Sequence, residues 1–488
     1  MGNRITRTII LLCFTLSCCT FMYRAWLALS EHRQLEYGEG PIVDQVERLA
    51  RGENIYRPDL SQPPFVISNY PPVFHLAQLP IRNLLGPGFL AGRLVSTIAT
   101  LLTCFCLYVL ARRLRASRLN SIAAVVLFAS SPFILEWGVL NRVDPLALLF
   151  SVVALLLALH RPGNVRWIIA AAIASSFAMF TRQTYAISTP LFLTLFYWLS
   201  SNRKGALYYA VITLCCSGLG AIALMYYSHG GAFFHLVIAN MNETNLSRAS
   251  FAFFTLISLS PLQLIAPLLL VLVLRTSTID LQKRDGRFTL LLTLIAFIPA
   301  IAVAKVGSSV NYFYELTFAS ALCFALGCQV TASRRYAIAL PLLLAVQTTM
   351  HVASVYRREI LNFDVLRDIG YFSSWDRLEG LSGPILSDEF MGVEPIKGKP
   401  LLFQPFEMTQ LARAGAWSQE PLLQQIKERY FECIVIRLRP ISIRDERWTP
   451  EMLQAIGTNY HRAPTDDGAL FAEYYRPFGP SSHRPISR

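Results

Sequence analysis

The stretch "TIILLCFTLSCCTFMYRAWLAL" (residues 8–29) is apolar and long enough to cross a bilayer, which takes about 20 residues. The chain has 488 residues, of which 53% are hydrophobic and only 15% charged. Its mean hydropathy is +0.42. Such a composition is typical of an all-α polytopic membrane protein, because a soluble protein of this length needs more surface charge. About eleven apolar runs are predicted to span the membrane: residues 8–29, 89–111, 119–136, 144–160, 165–181, 184–200, 206–227, 251–274, 288–304, 314–332 and 336–354.

The net charge of +13 is explained by short basic clusters between the apolar runs, and it does not indicate a nucleic-acid partner. All of these clusters fall on one side if the spans simply alternate: Arg4 and Arg7, 112–118, 160–166, Arg203 with Lys204, 275–287, and Arg334 with Arg335. The excess of Lys and Arg in short loops marks the cytoplasmic side. We therefore expect a cytoplasmic N-terminus and an exoplasmic C-terminus.

The composition divides the chain into a membrane domain, residues 1–355, and a second domain, residues 356–488. The first loop of the membrane domain, residues 30–88, is predicted to be exoplasmic. The second domain alternates short predicted strands, at 383–386, 401–403, 433–436 and 469–472, with predicted helices at 421–429 and 450–456. This alternation favours a small α/β domain on the exoplasmic side.

The first loop contains "YGEGPIVDQVERLARGENIY" (residues 37–56). Pro41 suits the first turn of a helix, and the apolar residues that follow share one helical face, so we predict a short amphipathic helix at the membrane interface with its polar side facing water. Asp44 lies four residues before Arg48 and can form an ordinary ion pair. Glu39 precedes the predicted helix between two glycines, which permit unusual backbone angles and the close approach of another molecule.

Three cations, Arg142, Arg182 and Lys305, fall on the predicted exoplasmic side, against the charge bias of that side. The planar fork of arginine suits phosphate oxygens, so these cations indicate a pocket for an anionic headgroup. Asp144, in "NRVDPLALLF" (residues 141–150), accompanies them and also suits a helix N-cap. We expect Glu39 and the arginines to share one cavity that opens outward.

Other polar residues on the same side are candidates for supporting or substrate-binding roles. Tyr70 and His75, in "SNYPPVFH" (residues 68–75), lie near the membrane interface, where an aromatic side chain also serves as an anchor. Gln183 follows Arg182 in a tight turn. An outer loop contains His235, Asn240 and Asn242, which suit the recognition of hydroxyl groups.

In their order along the chain, "YGEGPIVDQVERLARGENIY", "NYPP", "NRVDPLALLF" and "FTRQT" resemble the GT-C superfamily of integral-membrane glycosyltransferases. The likeness is to bacterial members related to protein O-mannosyltransferases and lipid A aminoarabinose transferases, and it covers about 1–355. Many relatives have Asp-Glu-Gly where this chain has residues 38–40, so the usual aspartate is missing.

The resemblance implies a multi-pass protein of a bacterial cell membrane that moves a sugar from a polyprenyl-phosphate donor to a lipid, glycan or protein acceptor with inversion. It implies a first-loop carboxylate as general base, with Glu39 as the matching acid and Asp44 as a substitute. Arg142, Arg182 and Lys305 would stabilise the leaving phosphate, and a divalent metal, which some members use, could replace one of them. A flippase or transporter of a lipid-linked headgroup and a non-catalytic scaffold remain as alternatives.

Overall fold

The computed structural model describes residues 2–276, 280–330, 336–357, 370–438, 441–464 and 472–479, and its membrane portion is helical throughout. The helices of this portion are α1 Gly2–Ser30, α2 Glu39–Ala50, α3 Val73–Leu85, α4 Leu90–Arg113, α5 Arg118–Ala129, α6 Pro132–Trp137, α7 Asp144–His160, α8 Val165–Thr181, α9 Ser188–Leu199, α10 Arg203–Tyr227, α11 Gly231–Leu236, α12 Leu246–Leu259, α13 Leu262–Thr276, α14 Asp280–Ile301, α15 Tyr314–Val330 and α16 Tyr336–Val355. Each predicted span overlaps at least one of these helices.

The predicted span at 251–274 is not one helix but two, α12 and α13, which meet at an angle of 75°. Ser260 separates them with an extended φ of −135°, and Pro261 follows it. The residue before a proline is driven out of the α-helical region by the proline ring, which accounts for the break. By length and composition, α1, α4, α10, α14 and α16 can each cross a membrane, and the bent pair adds a sixth span if it counts as one.

Helix packing in the membrane portion depends on small residues. Ala171, Ala172 and Ala178 on α8 are fully buried where α8 packs along α7 and α10. Lipid gives no hydrophobic force between helices, so close backbone approach through small side chains supplies the packing energy. Large apolar residues instead face outward on α10, where Leu214 is 74% exposed. This outer surface fits contact with lipid.

The predicted helix of the first loop is confirmed as α2, but its surroundings differ from the prediction. The helix begins two residues before Pro41, so Glu39 lies in its first turn. Its polar side does not face water, because Asp44, Glu47 and Arg48 are all buried. The C-terminal domain and α3 cover this side.

The C-terminal domain has a four-stranded sheet with the order β1-β2-β4-β3: β1 Ile385–Ser387, β2 Cys433–Arg437, β3 Tyr460–Arg462 and β4 Ala472–Pro477. Strands β1 and β2 are parallel, and the other two pairs are antiparallel. The helices around it are α17 Tyr371–Glu379, α18 Val393–Ile396, α19 Pro405–Arg413, α20 Glu420–Lys427, α21 Ile441–Arg447 and α22 Pro450–Asn459. The predicted α/β class is therefore confirmed.

Two predicted strands of this domain need comment. The prediction at 401–403 is wrong, because this segment forms an isolated parallel bridge, Phe65 with Phe403, to the first loop instead of joining the sheet. The prediction at 469–472 lies outside the described residues except for Ala472, which begins β4. An apolar run alone could not reveal that its partner is a loop more than three hundred residues earlier.

The first loop packs into the C-terminal domain as part of its core. Phe65 and Ile67 share one apolar cluster with Leu386 and Trp417. The amide of Leu401 donates to Asp44 Oδ1 at 2.8 Å, and the Gln34 side chain donates to the Glu389 carbonyl at 2.7 Å. The loop thus fixes the C-terminal domain over one end of the helical bundle.

Candidate active site

A cavity of about 740 Å³ lies where the membrane helices, the first loop and the C-terminal domain meet. The first loop, the turns after α6 and α8, and the segments 236–242 and 305–312 form most of its wall. Residues of α19, β2 and α21 complete it from the C-terminal side. The volume suits a headgroup of substrate size.

A carboxylate that the sequence analysis did not single out, Glu36, faces this cavity. Its Oε2 accepts hydrogen bonds from Arg142 Nη1 at 3.2 Å and from the Gly38 amide at 2.8 Å. Burial raises the pKa of Glu36, although the Arg142 guanidinium opposes the shift. The side chain is still 24% exposed, and Oε1 has no hydrogen bond to any described residue. Among the described carboxylates of the first loop, Glu36 is the one that lines the cavity, and its free oxygen can accept a proton from a molecule bound there.

Arg142 lies where a side chain at position 38 would otherwise be. A Cβ on Gly38 would stand 1.8 Å from Arg142 Nη1, a distance no real contact allows. The backbone at Gly38 is ordinary, with φ −78°, so this glycine provides room and not an unusual angle. Its close neighbour within the protein is Arg142, and the expected unusual backbone angle is not found.

Glu39 does not line the cavity, which corrects the expectation that it shares a cavity with the arginines. Its carboxylate is fully buried and pairs with Arg93 at 2.7 and 2.9 Å. The amides of Asn141 and Leu35 donate to the same carboxylate at 2.9 and 2.8 Å. Although burial raises the pKa of Glu39, Arg93 and these amides lower it overall. Both oxygens are occupied, so this geometry suits a structural anchor.

Asp44 also lies outside the cavity lining. Its Oδ1 accepts the Leu401 amide, and Arg48 Nη1 stands 3.9 Å from Oδ2, as the predicted i,i+4 pair. The side chain is buried, and burial raises its pKa to about 6. The position of Asp44 is therefore suited to holding the C-terminal domain on α2.

Arg182, at the end of α8, lines the cavity and pairs with Asp144. Asn311 donates to the same carboxylate at 3.1 Å, and the guanidinium carbon lies 4.3 Å from the centre of the Tyr312 ring. Asp144 is the first residue of α7, whose N-cap is Val143, so the predicted capping role is wrong by one position. Its carboxylate orients Arg182 instead.

Lys305 lines the same cavity close to Arg182. Burial, together with the Arg182 guanidinium, lowers the pKa of Lys305. No carboxylate among the described residues forms an ion pair with it. Two cations that repel each other at a cavity wall are stabilised when an anion binds between them. The prediction that Arg142, Arg182 and Lys305 face one cavity is met by this geometry.

The other predicted site residues divide into those that line the cavity and those that support it. Lining residues are Tyr70, Gln183, Asn240 and Asn242. Tyr70 does more than anchor the chain, because its hydroxyl accepts from Arg142 Nη2 at 3.2 Å.

His75 is buried against Gln45, with 2.6 Å between Nε2 and Oε1. The Ser68 amide donates to His235 Nδ1, so Nε2 of His235 donates to the Arg57 carbonyl. Both histidines therefore support the loops and do not face the cavity.

The cavity does not contain three grouped metal ligands within the part of the chain that the structure describes. The group of this kind that occurs there is His32, Asp376 and Glu379, and none of them lines the cavity. The described lining has four carboxylates, Glu36, Glu136, Glu407 and Glu446. Glu36 and Glu446 pair with Arg142 and Arg248, and Glu407 accepts a hydrogen bond from Asn69. Within the described residues, the cavity therefore does not fit a metal centre with three grouped His, Cys, Asp or Glu ligands.

The fold and the cavity together define an integral-membrane protein. Its polar, cation-rich site lies at the end of the helical bundle that the C-terminal domain covers. Residues 69–228 match the family of dolichyl-phosphate-mannose-protein mannosyltransferases. No curated protein matches the chain in sequence.

Two solved structures of ArnT from Cupriavidus metallidurans are similar in fold at 12% identity, and each match covers 94% of this chain and 97% of that one. The TM-score is 0.62 for the apo state and 0.61 for the complex with undecaprenyl phosphate. The oligosaccharyltransferase of Archaeoglobus fulgidus matches with a TM-score of 0.57 at 11% identity, over 88% of this chain and 69% of that one. All are GT-C glycosyltransferases, so the chain has the GT-C fold, and the resemblance predicted from its motifs is confirmed.

Proposed function

We propose that the protein transfers a sugar from a polyprenyl-phosphate donor to an exoplasmic acceptor, with inversion at the anomeric carbon. The observation that carries the proposal is that Glu36, Arg142, Arg182 and Lys305 line one cavity between the helical bundle and the C-terminal domain. Solved GT-C proteins of the same fold contain undecaprenyl phosphate in ArnT and dolichol-phosphate in the archaeal oligosaccharyltransferase.

The donor phosphate would lie between Arg182 and Lys305. Asp144 and the Tyr312 ring hold the Arg182 guanidinium in place, so it need not reorganise when charge develops. Cations fixed in advance at a departing phosphate stabilise the transition state more effectively than mobile ones. A phosphate there would also relieve the repulsion that lowers the pKa of Lys305.

Glu36 would act as the general base, in place of the predicted Glu39 and Asp44. The Glu36 carboxylate takes the proton of an acceptor hydroxyl, whose oxygen forms the new bond to the anomeric carbon. The bond from that carbon to the phosphate oxygen breaks, and its electron pair leaves on the polyprenyl phosphate. A transition state with oxocarbenium character is expected for this step. Arg142 fixes the orientation of Glu36 throughout.

The membrane orientation belongs to the same proposal. At the end of the bundle opposite the cavity, Arg113 donates to the His160 ring at 2.9 Å, and Arg115 pairs with Asp285. This end has the basic clusters that mark the cytoplasmic side. The cavity and the C-terminal domain would then be exoplasmic, in the cell membrane of a bacterium.

A transfer assay tests the proposal. Purified protein in nanodiscs receives radiolabelled polyprenyl-phosphate sugars together with membrane acceptors, and the product is label joined to acceptor through a new glycosidic bond. We expect transfer by the wild type and by Glu446→Gln, a cavity carboxylate paired with Arg248, but not by Glu36→Gln. Equal transfer by Glu36→Gln would remove Glu36 as the base. In a parallel assay in sealed proteoliposomes, label that crosses the membrane without a new glycosidic bond would indicate a flippase and contradict transfer.

A further inference from the structure

Three cavity residues leave oxygen atoms without hydrogen bonds on the side where the C-terminal domain meets the first loop. These atoms are Asn69 Oδ1, Gln183 Oε1 and Glu407 Oε2, which are buried and have no partner among the described residues. All three side chains line the cavity. We refer to Asn69, Gln183 and Glu407 as the acceptor wall.

The three side chains are connected, and the connections determine which atoms remain unpaired. Gln183 Nε2 donates to the main-chain carbonyl oxygen of Asn69 at 2.8 Å. Asn69 Nδ2 in turn donates to Glu407 Oε1 at 2.7 Å. Each amide nitrogen must face an oxygen acceptor, so exchanging the N and O atoms of either amide would place oxygen against oxygen. The unpaired amide oxygens of Asn69 and Gln183 are therefore acceptors. Burial raises the pKa of Glu407 to about 7, although hydrogen bonds from Asn69 and Gln404 oppose the shift, so its carboxyl accepts when ionised and donates when protonated.

Unpaired buried oxygens destabilise a protein unless a bound molecule or water supplies donors. Three of them along one wall match a molecule with several hydroxyl or amino hydrogens. The cations Arg182 and Lys305 line the same cavity from other segments of the chain. The cavity thus combines groups that bind an anion with groups that bind hydrogen-bond donors.

We infer that the acceptor wall is the sugar-recognition subsite of this cavity, and that Glu407 of the C-terminal domain determines which sugar binds. The inference rests on the proposed function and deepens it, because it gives the C-terminal domain a part in substrate recognition. The ligand class is a sugar with free hydroxyl or amino groups, either on the lipid donor or on a glycan acceptor.

Binding measurements in nanodiscs separate this inference from the proposed function. The probes are undecaprenyl phosphate without a sugar, the same lipid linked to mannose, glucose, galactose, N-acetylglucosamine or 4-aminoarabinose, and the methyl glycosides of these sugars. Wild-type protein should bind at least one lipid-linked sugar about tenfold more tightly than undecaprenyl phosphate, or one methyl glycoside about tenfold more tightly than the other glycosides.

Glu407→Gln is the informative variant, since Gln keeps the oxygen that accepts from Asn69 but replaces the unpaired oxygen with a donor. We expect it to weaken binding of the preferred sugar probe about tenfold or more and to change affinity for undecaprenyl phosphate less than twofold. A loss with the lipid-linked probe assigns the wall to the donor, and a loss with the glycoside assigns it to the acceptor. Glu446→Gln, in the same cavity and domain, should leave both affinities unchanged.

The inference is overturned if Glu407→Gln leaves the affinity for every sugar probe unchanged, or if it weakens binding of undecaprenyl phosphate as much as binding of the sugar probes. It is also overturned if the wild type binds all sugar probes equally well. Failure of the proposed function looks different, because undecaprenyl phosphate itself would then not bind to the wild type, or would bind equally well to Arg182→Gln.

Discussion

Two glutamates of the first loop, Glu36 and Glu39, pair with arginines from other segments in opposite surroundings. Glu39 and Arg93 are sealed in the protein with no side-chain exposure, and four donor atoms occupy the carboxylate. Glu36 and Arg142 form a longer contact at the cavity wall, where the glutamate side chain is 24% exposed. A pair with every oxygen occupied holds elements together, whereas a pair with an open oxygen can exchange a proton with a substrate. We therefore propose a stabilising role for the Glu39–Arg93 pair and a catalytic role for the Glu36–Arg142 pair.

The largest effect is expected for Glu36→Gln. General-base catalysis contributes roughly 10²–10⁴-fold, so the rate of sugar transfer should fall by that factor. Thermal unfolding should change little, because the residue is partly exposed and the amide keeps an oxygen for the Gly38 amide and Arg142. Single-turnover rates and melting curves measured on the same preparation test both statements. A folded variant with full activity would contradict the role of Glu36.

Glu39→Gln should instead lower stability. Removing one partner of a buried ion pair leaves Arg93 uncompensated and is expected to reduce the free energy of unfolding by about 3–5 kcal/mol. Denaturant unfolding of the purified protein measures this change. Glu446→Gln serves as the control, since it belongs to a half-exposed pair for which at most about 1 kcal/mol is expected. A similar loss of unfolding free energy in both variants would contradict a larger contribution from the buried Glu39–Arg93 pair than from the half-exposed Glu446–Arg248 pair.

The comparison also shows where sequence reasoning succeeded. The apolar runs of α1, α4 and α10 and the amphipathic pattern of α2 were sufficient to predict those helices, because each depends on local periodicity. The cavity cations were found because Arg142, Arg182 and Lys305 oppose a charge bias that is visible in the sequence. The sequence could not show which of Glu36 and Glu39 faces the cavity. Both acids lie close to Gly38, and only tertiary contacts determine which of them pairs with Arg93 in the protein interior. Glu407 was missed because only the folded chain brings it to the cavity, where it accepts a hydrogen bond from Asn69, a residue distant in sequence.

Gly38→Ala tests whether position 38 is kept free for Arg142. A Cβ there would collide with Arg142 Nη1, so the guanidinium must move away from Glu36. A small misplacement of catalytic groups is expected to reduce the transfer rate by about 10- to 100-fold. Arg142 ends in a flexible side chain, so the variant should still fold, which circular dichroism can check. Gly163→Ala, in the turn between α7 and α8, is the matched control, because a Cβ there meets nothing within 4 Å and its φ is not positive.

The smallest effect concerns pH. Burial raises the pKa of Asp44 to about 6 in the folded protein, above its value of about 3.9 when unfolded. The folded state therefore binds the proton more tightly, and stability from this group is full below about pH 4 and falls as the pH rises through about 6. The loss should be on the order of 1–3 kcal/mol. Unfolding of the wild type and of Asp44→Asn between pH 4 and 7 measures it, and Asp44→Asn should not show this component. The same slope in both proteins would assign it to another group.

The central claim is that a lipid phosphate binds between Arg182 and Lys305, with Glu36 facing the sugar it carries. A cryo-EM structure of the nanodisc-embedded protein with undecaprenyl phosphate tests this directly. We expect phosphate density within hydrogen-bonding distance, about 3 Å, of both cations and on the cavity side of Tyr312. Density at the opposite end of the bundle, or at the Glu39–Arg93 pair, would contradict it.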